Sequence, residues 1–323
     1  MKTLNDMKIQ VLFLSLVLAT LTGFGQQRSN SNLYLENRVL INQAYSGVDP
    51  DKELSLSYRN QWTGISNAPV TTQLNFRGSI NRPNFEAGRN IPTTSKTISQ
   101  PIVTPKSFWA YNGMMVYDNA GLLNRLQFSA AGAYHLPVTR KLMVAFAPTL
   151  TYTNLKVDVD QMKLIRPNDP AYNQYLATGG SSNFLGIDAA FVLYSRRFSL
   201  GVTAEQLAWL TLSNNDLEED IVNHFFATAD YNFRVSDDWE VRPTINAKIG
   251  KGFPTTYDFY ARADYRDTFW FGAGYRTSKM WIAMLGVHLK DSIRFGYSYD
   301  TGVIDVNNIT KGSHEIYLSY TFK

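Results

Sequence analysis

The residues able to do covalent or metal chemistry are few and scattered. The chain has no cysteine, so it offers no thiolate nucleophile, no sulfur ligand and no thiol for lipid attachment. Its four histidines are His135, His224, His288 and His314, and none has the i, i+4 or other close partner of a metal site. His314 stands beside Glu315, but neighbours on a strand point to opposite faces. No G-x-S-x-G, phosphate loop or H-E-x-x-H occurs. A hydrolytic Ser and His would have to converge from distant segments with an orienting third group, and no spacing points to that. Asn214, Asn215 and Asp216 with Glu218, Glu219 and Asp220 could hold a hard cation, but they lack the regular spacing of a calcium loop. They read better as an acidic solvated loop. Gly179-Gly180 and Gly250-Lys251-Gly252 read as turns. The expectation is no catalytic residue, no cofactor and no metal.

The elements that would position any such residue are strands. Leu54, Leu56 and Tyr58 alternate with Ser55, Ser57 and Arg59. The same period of two recurs around Val70–Arg77, Leu126–Tyr134, Leu142–Tyr152, Phe225–Phe233, Val241–Ile249, Tyr257–Tyr265, Phe269–Tyr275, Trp281–Leu289, Ile293–Tyr299 and Ile316–Phe322. Glu205–Leu212 fits a helical period or a strand end equally well. About 14 strands result, near the roughly 9–11 residues that a tilted membrane strand needs. Nineteen Tyr, nineteen Phe and six Trp suit interfacial girdles.

Before these strands, Lys2 and Lys8 precede an apolar run from Val11 to Leu21, with small residues around Gly23-Phe24-Gly25. This is the pattern of a secretory leader over residues 1–25, too short to span a bilayer. Its removal changes 31 basic and 27 acidic residues to 29 and 26, a net charge of +3. That balance implies no nucleic-acid partner. An exported chain with no long apolar helix and alternating strands can cross a bilayer only as a closed barrel, where every backbone polar group is paired. The expected organisation is a leader at 1–25, an irregular lead at 26–51 that is periplasmic or folded as a plug, and an all-β transmembrane antiparallel barrel at 52–323.

Connection lengths give an orientation. With the first strand starting in the periplasm, the short Val138–Lys141, Ser195–Arg197, Val235–Asp238, Arg266–Thr268 and Lys290–Asp291 fall on that side. The longer Lys156–Asn183, Thr211–Asn223 and Thr301–Gly312 fall outside, as in outer-membrane barrels. Asn81–Pro105 breaks the rule as a long periplasmic segment, with Arg82, Arg89, Lys96 and Lys106 against Glu86. It reads as a periplasmic contact or as a missed strand pair. A hairpin centred on Gly252–Thr256 would pair Lys248 with Asp258, Arg242 with Asp264 and Glu240 with Arg266. Three opposite-charge pairs would then share one face, with an apolar opposite face. Charge on a lipid face costs roughly 2–4 kcal/mol at mid-depth, so this ladder is expected to line the lumen.

One run remains to be explained. "INQAYSG", then "LSLSYRNQWTGISNAPVTTQLNFRGSI", resembles the amino-terminal signature of the PorP/SprF family of the type IX secretion system in Bacteroidetes. Asn42, Ala44, Tyr45 and Gly47 match an N-P-A-Y-A-G-like run, from which Gln43 and Ser46 depart. Arg59, Gln61, Trp62, Ala68 and Pro69 match the R-x-Q-W strand end and the A-P loop. "GSHEIYLSYTF", with His314 and Glu315, resembles the family's tail. The likeness covers about Asn32 to Lys323 and is strongest at the two ends. It implies a non-enzymatic outer-membrane barrel whose partners are type IX components of the periplasm and outer membrane, exported cargo and the bilayer. Some members support gliding motility by exporting or holding a surface adhesin. Arg59 is expected on the lumen face and Trp62 at an interface. The alternatives are an outer-membrane channel for small solutes and, more remotely, a barrel lipase.

Overall fold

The computed structural model describes residues 31–49, 52–83, 106–159, 162, 172–173, 176, 179–212, 223–250, 253–289, 292–301 and 310–322. The expected leader, residues 84–105 of the long connection, the acidic run 213–220 and Lys323 lie outside them. The strands are β1 (Lys52–Asn60), β2 (Val70–Ile80), β3 (Phe108–Ala120), β4 (Leu123–Pro137), β5 (Met143–Val157), β6 (Ser181–Tyr194), β7 (Phe198–Thr211) and β8 (His224–Tyr231). They continue as β9 (Phe233–Arg234), β10 (Trp239–Gly250), β11 (Phe253–Tyr265), β12 (Phe269–Arg276), β13 (Met280–Leu289), β14 (Ile293–Asp300) and β15 (Ser313–Phe322). Consecutive strands pair antiparallel, except that β8 and β9 both pair with β10, and β15 pairs with β1. The two-residue β9 continues β8 along β10 after Asn232, so the closed barrel has 14 strands. Of the segment 205–212 that fitted two periods, residues 205–211 are the end of β7.

Burial separates this barrel from a soluble one. Leu54, Leu56 and Tyr58 on the outer face are 39, 44 and 44% exposed, whereas Ser55, Ser57 and Arg59 facing inward are 3, 4 and 2% exposed. Polar-in, apolar-out alternation is what lipid demands of a barrel wall. Outward aromatics gather at the two rims. Trp109 lies 4.6 Å from Tyr134, Tyr231 4.5 Å from Phe233 and Tyr265 4.9 Å from Phe269, all at the end where β1 starts and β15 finishes. At the opposite end Tyr58, Tyr117, Trp209, Tyr257 and Trp281 project outward. These are two girdles flanking an apolar band, the positions where an amphipathic ring meets both lipid and water. The first end is called the near end below, and the other the far end.

At the near end the connections 138–142, 195–197, 235–238, 266–268 and 290–292 are short, and 81–107 is long. At the far end 158–180, 212–223 and 301–312 are long, while 121–122, 251–252 and 277–279 are tight.

The β10–β11 register differs from the expected ladder by two residues. Glu240 faces Asp264, Arg242 faces Arg262 and Lys248 faces Thr256. The hairpin closes earlier than expected, with Gly250 already opposite Phe253, and an irregularity between Lys248 and Gly250 absorbs the offset. An even offset keeps every side chain on its expected face, so Asp258 and Arg262 are buried inside the barrel. Lys248 Nζ still reaches Asp258 Oδ2 at 2.8 Å, now across a diagonal. Arg266 leaves the ladder altogether. It sits in the β11–β12 turn with left-handed backbone and bonds Asp238 at 2.9 and 3.2 Å. These hydrogen bonds hold the exposed Asp238 carboxyl below its usual range and raise the Arg266 guanidinium.

Candidate functional site: a filled lumen

Residues 31–49 occupy the inside of the barrel as three 3₁₀ turns, Leu33–Leu35, Arg38–Leu40 and Gln43–Tyr45. Such turns leave backbone groups that a ladder would satisfy, and asparagines take over that work. Asn42 caps the third turn, its Oδ1 accepting from Ala44 N at 3.0 Å. Its Nδ2 donates to the carbonyls of Phe191 and Val202 at 3.0 and 3.1 Å, two residues that face each other across β6 and β7. Asn37 Nδ2 donates to Ser55 Oγ and Asn75 Oδ1 at 2.9 and 3.1 Å.

The motif residues Asn42, Ala44, Tyr45 and Gly47 form one surface. Ala44 and Tyr45 pack with Val39 and Val48 against Phe108, Ala110, Met143 and Tyr194 near the near end. The Tyr45 hydroxyl lies 2.7 Å from Ser199 Oγ, and the Arg38 guanidinium sits 4.4 Å over its ring. Gly47 has φ +81°, and a Cβ there would fall 2.6 Å from Ala110 Cβ, so both conformation and space require glycine. His135 closes this corner. Its Nε2 donates to the Ser46 carbonyl at 2.6 Å, leaving Nδ1 to accept from the Tyr194 hydroxyl at 2.8 Å. Its ring stacks on Phe108 at 4.3 Å.

The earlier part of the segment fills the opposite wall. Leu33, Tyr34 and Leu35 pack with Tyr260, Trp270, Ile282, Met284 and Tyr317. Glycines make room for the wall's rings: a Cβ on Gly274 would strike Tyr260 at 2.4 Å, and one on Gly286 would strike Trp270 at 2.5 Å. Seven apolar side chains of the segment are at most 6% exposed. Even discounted for a compact unfolded state, that burial is worth on the order of 10 kcal/mol, so the segment is a fixed part of the fold.

Around these apolar contacts runs a charged network. Arg59 binds Asp300 at 2.5 Å and Glu315 at 3.3 Å. Glu315 also accepts from Ser57 Oγ at 3.0 Å, from Asn32 N at 2.7 Å and from Ser31 Oγ. Asn32 Nδ2 donates to Asp300 at 2.8 Å. At the near end Glu53 accepts from Arg77, Arg294 and Tyr317 at 3.3, 3.0 and 3.0 Å, and Arg77 also reaches Asp49 at 3.1 Å. Arg262 joins Glu36 to Asp264, and Arg276 joins Asn32 to Asp258. Arg77, Arg262 and Arg276 are each held by a wall carboxylate and by a group of residues 31–49, whereas Arg59 and Arg294 bind carboxylates of the wall. The wall thereby compensates its own charges, which an isolated buried ion would leave at heavy cost.

The other sequence-derived positions fall as follows. Arg59 and Glu315 are directly paired across β1 and β15, whereas His314 points outward and bonds the Tyr297 hydroxyl at 2.7 Å. Gln61 N donates to the Pro69 carbonyl at 2.9 Å, closing the β1–β2 connection, and Trp62 sits in that connection at the far rim with φ 49°. Of the ladder residues, Lys248 and Asp258 make contact, Asp264 turns to Arg262, Arg242 lies 4.0 Å from Asp230, and Glu240 accepts from Asn232 at 2.6 Å. Glu36, Asp49, Arg77, Arg262, Arg276 and Arg294 were not singled out from sequence. Each wall member of that set lies at an inward position of its strand's alternation, which is the signal that marks them. Among the described residues no three His, Asp or Glu side chains gather as a metal site.

A family profile described as type IX secretion system membrane protein PorP/SprF matches residues 23–320. The chain belongs to the PorP/SprF family. It is accordingly an outer-membrane β-barrel. A comparison with curated protein sequences found no match. Among solved structures, it is similar to Omp33 of Acinetobacter baumannii, with 10% identity over 85% of this chain and 100% of that one, at a TM-score of 0.48. The Ralstonia pickettii toluene transporter TbuX is 11% identical over 88% and 92%, at 0.49. The Pseudomonas putida toluene transporter TodX is 11% identical over 93% and 95%, at 0.47. At these TM-scores none of the likenesses bears on what a PorP/SprF chain carries or binds. The motif that marks the family in this sequence is, in the fold, the near half of the segment that fills the lumen.

Proposed function

We propose that this PorP/SprF barrel is a non-enzymatic outer-membrane station of the type IX secretion system. It would link periplasmic secretion components to the export or surface retention of cargo, such as a gliding adhesin. The family match across residues 23–320 carries the reading. The packing of residues 31–49 inside the barrel supports it over the alternative of a solute channel. The orientation adopted puts the near end in the periplasm, on the strength of its five short turns. The leader 1–25 would then be removed, and the barrel domain would follow the lead at 26–51.

The near rim offers the periplasmic contact. Arg140 and Lys141 of the β4–β5 connection and Arg196 and Arg197 of the β6–β7 connection are exposed, and Arg82 and Lys106, beyond the near ends of β2 and β3, stand at the same end of the barrel. The two turns carry no acidic residue, whereas Asp237 and Asp238 across the rim are paired with Arg234 and Arg266. A basic arc of this kind favours an acidic partner surface through salt-sensitive attraction. The triple change Arg140→Glu, Lys141→Glu, Arg197→Glu is expected to leave the barrel folded and to reduce cargo export several-fold. Unchanged export from the folded variant would reject the near rim as the contact.

A further inference from the structure

A small cavity at the near mouth is lined by charges that do not balance. It lies between the lumen segment and the wall, bounded by Arg38 and Val48 of the segment, by Arg196 and Arg197 of the β6–β7 connection, and by Asp230 of β8 and Arg242 of β10. Four guanidinium groups there meet one carboxylate. Asp230 is already shared: Ser199 Oγ donates to it, Arg38 stands 3.8 Å away and Arg242 4.0 Å away. Asp49 lies 3.8 Å from Arg38 but accepts from Arg77 at 3.1 Å. Glu240, two residues before Arg242 on β10, accepts from Asn232 at 2.6 Å. Arg38 is the telling group. Its side chain is only 13% exposed, yet both of its ion pairs are longer than a hydrogen bond, and among the described residues its N–H groups make none. The Arg242 side chain is as deeply buried. Arg196 and Arg197 are exposed and lead from the rim into the cavity.

We infer that this cavity is an anion site that takes a carboxylate of an acidic peptide. A guanidinium presents its N–H groups as a planar fork that fits the two oxygens of a carboxylate, and such charge-assisted bonds are about twice as strong as neutral ones. A carboxylate set between Arg38, Arg242 and the two turn arginines offsets the excess positive charge and gives the Arg38 donors acceptors within hydrogen-bond reach. The inner pair is withdrawn from bulk water, which strengthens its attraction relative to that of the exposed arc. The cavity has room for a small group and not for a folded chain, so the carboxylate arrives on a side chain or a chain end. The inference deepens the reading of the near rim as a contact for an acidic partner and rests on it for the source of the carboxylate. The cavity is the same whichever way the barrel faces.

The test uses the full-length barrel purified in detergent. Heat-modifiability on gels scores the fold, and fluorescence anisotropy scores binding of a fluorescein-labelled hexaglutamate peptide, with hexaglutamine as the uncharged comparison and both amidated at the carboxyl end. Hexaglutamate is expected to bind and hexaglutamine not. Arg38→Gln, Arg196→Gln and Arg242→Gln are each expected to weaken binding about ten-fold, as loss of a charged hydrogen bond does. Arg140→Gln, on the arc but outside the cavity, is expected to weaken it about two-fold or less, as a screened surface charge does. Arg196 is exposed, so its variant carries the test if Arg38→Gln or Arg242→Gln fails to assemble. Folded cavity variants that bind no more weakly than Arg140→Gln would overturn the inference and leave a diffuse acidic contact at the near rim standing. Equal binding of the two peptides, or no binding of hexaglutamate, would overturn it too, and cargo export by the triple rim variant would then decide the broader reading on its own.

Discussion

Gly47 shows how the family signature is written in backbone geometry. Its left-handed φ costs an alanine about 1 kcal/mol or more. The added Cβ would overlap Ala110, and overpacking of this kind costs roughly another 1–3 kcal/mol. Gly47→Ala is therefore expected to lower the temperature at which the barrel unfolds in detergent, read as loss of heat-modifiability. Gly113→Ala is the control, because a Cβ there meets nothing within 4 Å, and its transition should not move. Equal behaviour of the two variants would show that the close approach of Gly47 to the wall is wrong. The sequence offered Asn42, Ala44, Tyr45 and Gly47 as a match to the family's amino-terminal run. It could not show that Asn42 spans the β6–β7 ladder or that Tyr45 meets Ser199, because those partners lie about 150 residues away.

At the scale of elements, strand alternation was legible and register was not. A period of two fixes which face each residue takes, so Arg59, Lys248, Asp258 and Asp264 are on the inner face as their alternation requires. Register depends on where a hairpin closes, and with Gly250 opposite Phe253 the pairing lies two residues away from the charge-matched alternative. Opposite-charge matching misled because the real partners are shared: Arg262 with Glu36 of the lumen segment, and Asp258 with both Lys248 and Arg276. Paired cysteines distinguish the registers. Glu240→Cys with Asp264→Cys places directly opposed Cα atoms about 4.5–5.5 Å apart, within reach of a disulfide. Arg242→Cys with Asp264→Cys is diagonal by about 7–8 Å and should cross-link poorly. Mass analysis of the linked peptides after oxidation should recover the first pair in preference. Efficient linkage of the second would restore the charge-matched register.

At the scale of the molecule, polar-in, apolar-out alternation, aromatic rims and unequal connections together specify an outer-membrane barrel. The same pattern says nothing of what fills the lumen, since an inner face of serine, asparagine and arginine suits water as well as a folded segment. Two hydrophobic lumen patches, Phe108 with Met143 and Tyr194 on one side and Trp270 with Ile282 and Met284 on the other, seat residues 31–49 inside the barrel. With its interior packed by residues 31–49, the barrel presents its rims to partners, and the near-rim arc carries the proposed contact. The most direct test of the account is affinity purification of the tagged barrel from detergent-solubilised outer membranes, with the purified protein then placed in a planar bilayer. The account predicts that type IX secretion components co-purify, that low salt strengthens their recovery, and that the bilayer shows no steady open-pore conductance. A barrel that brings down no secretion component and conducts ions steadily would contradict it.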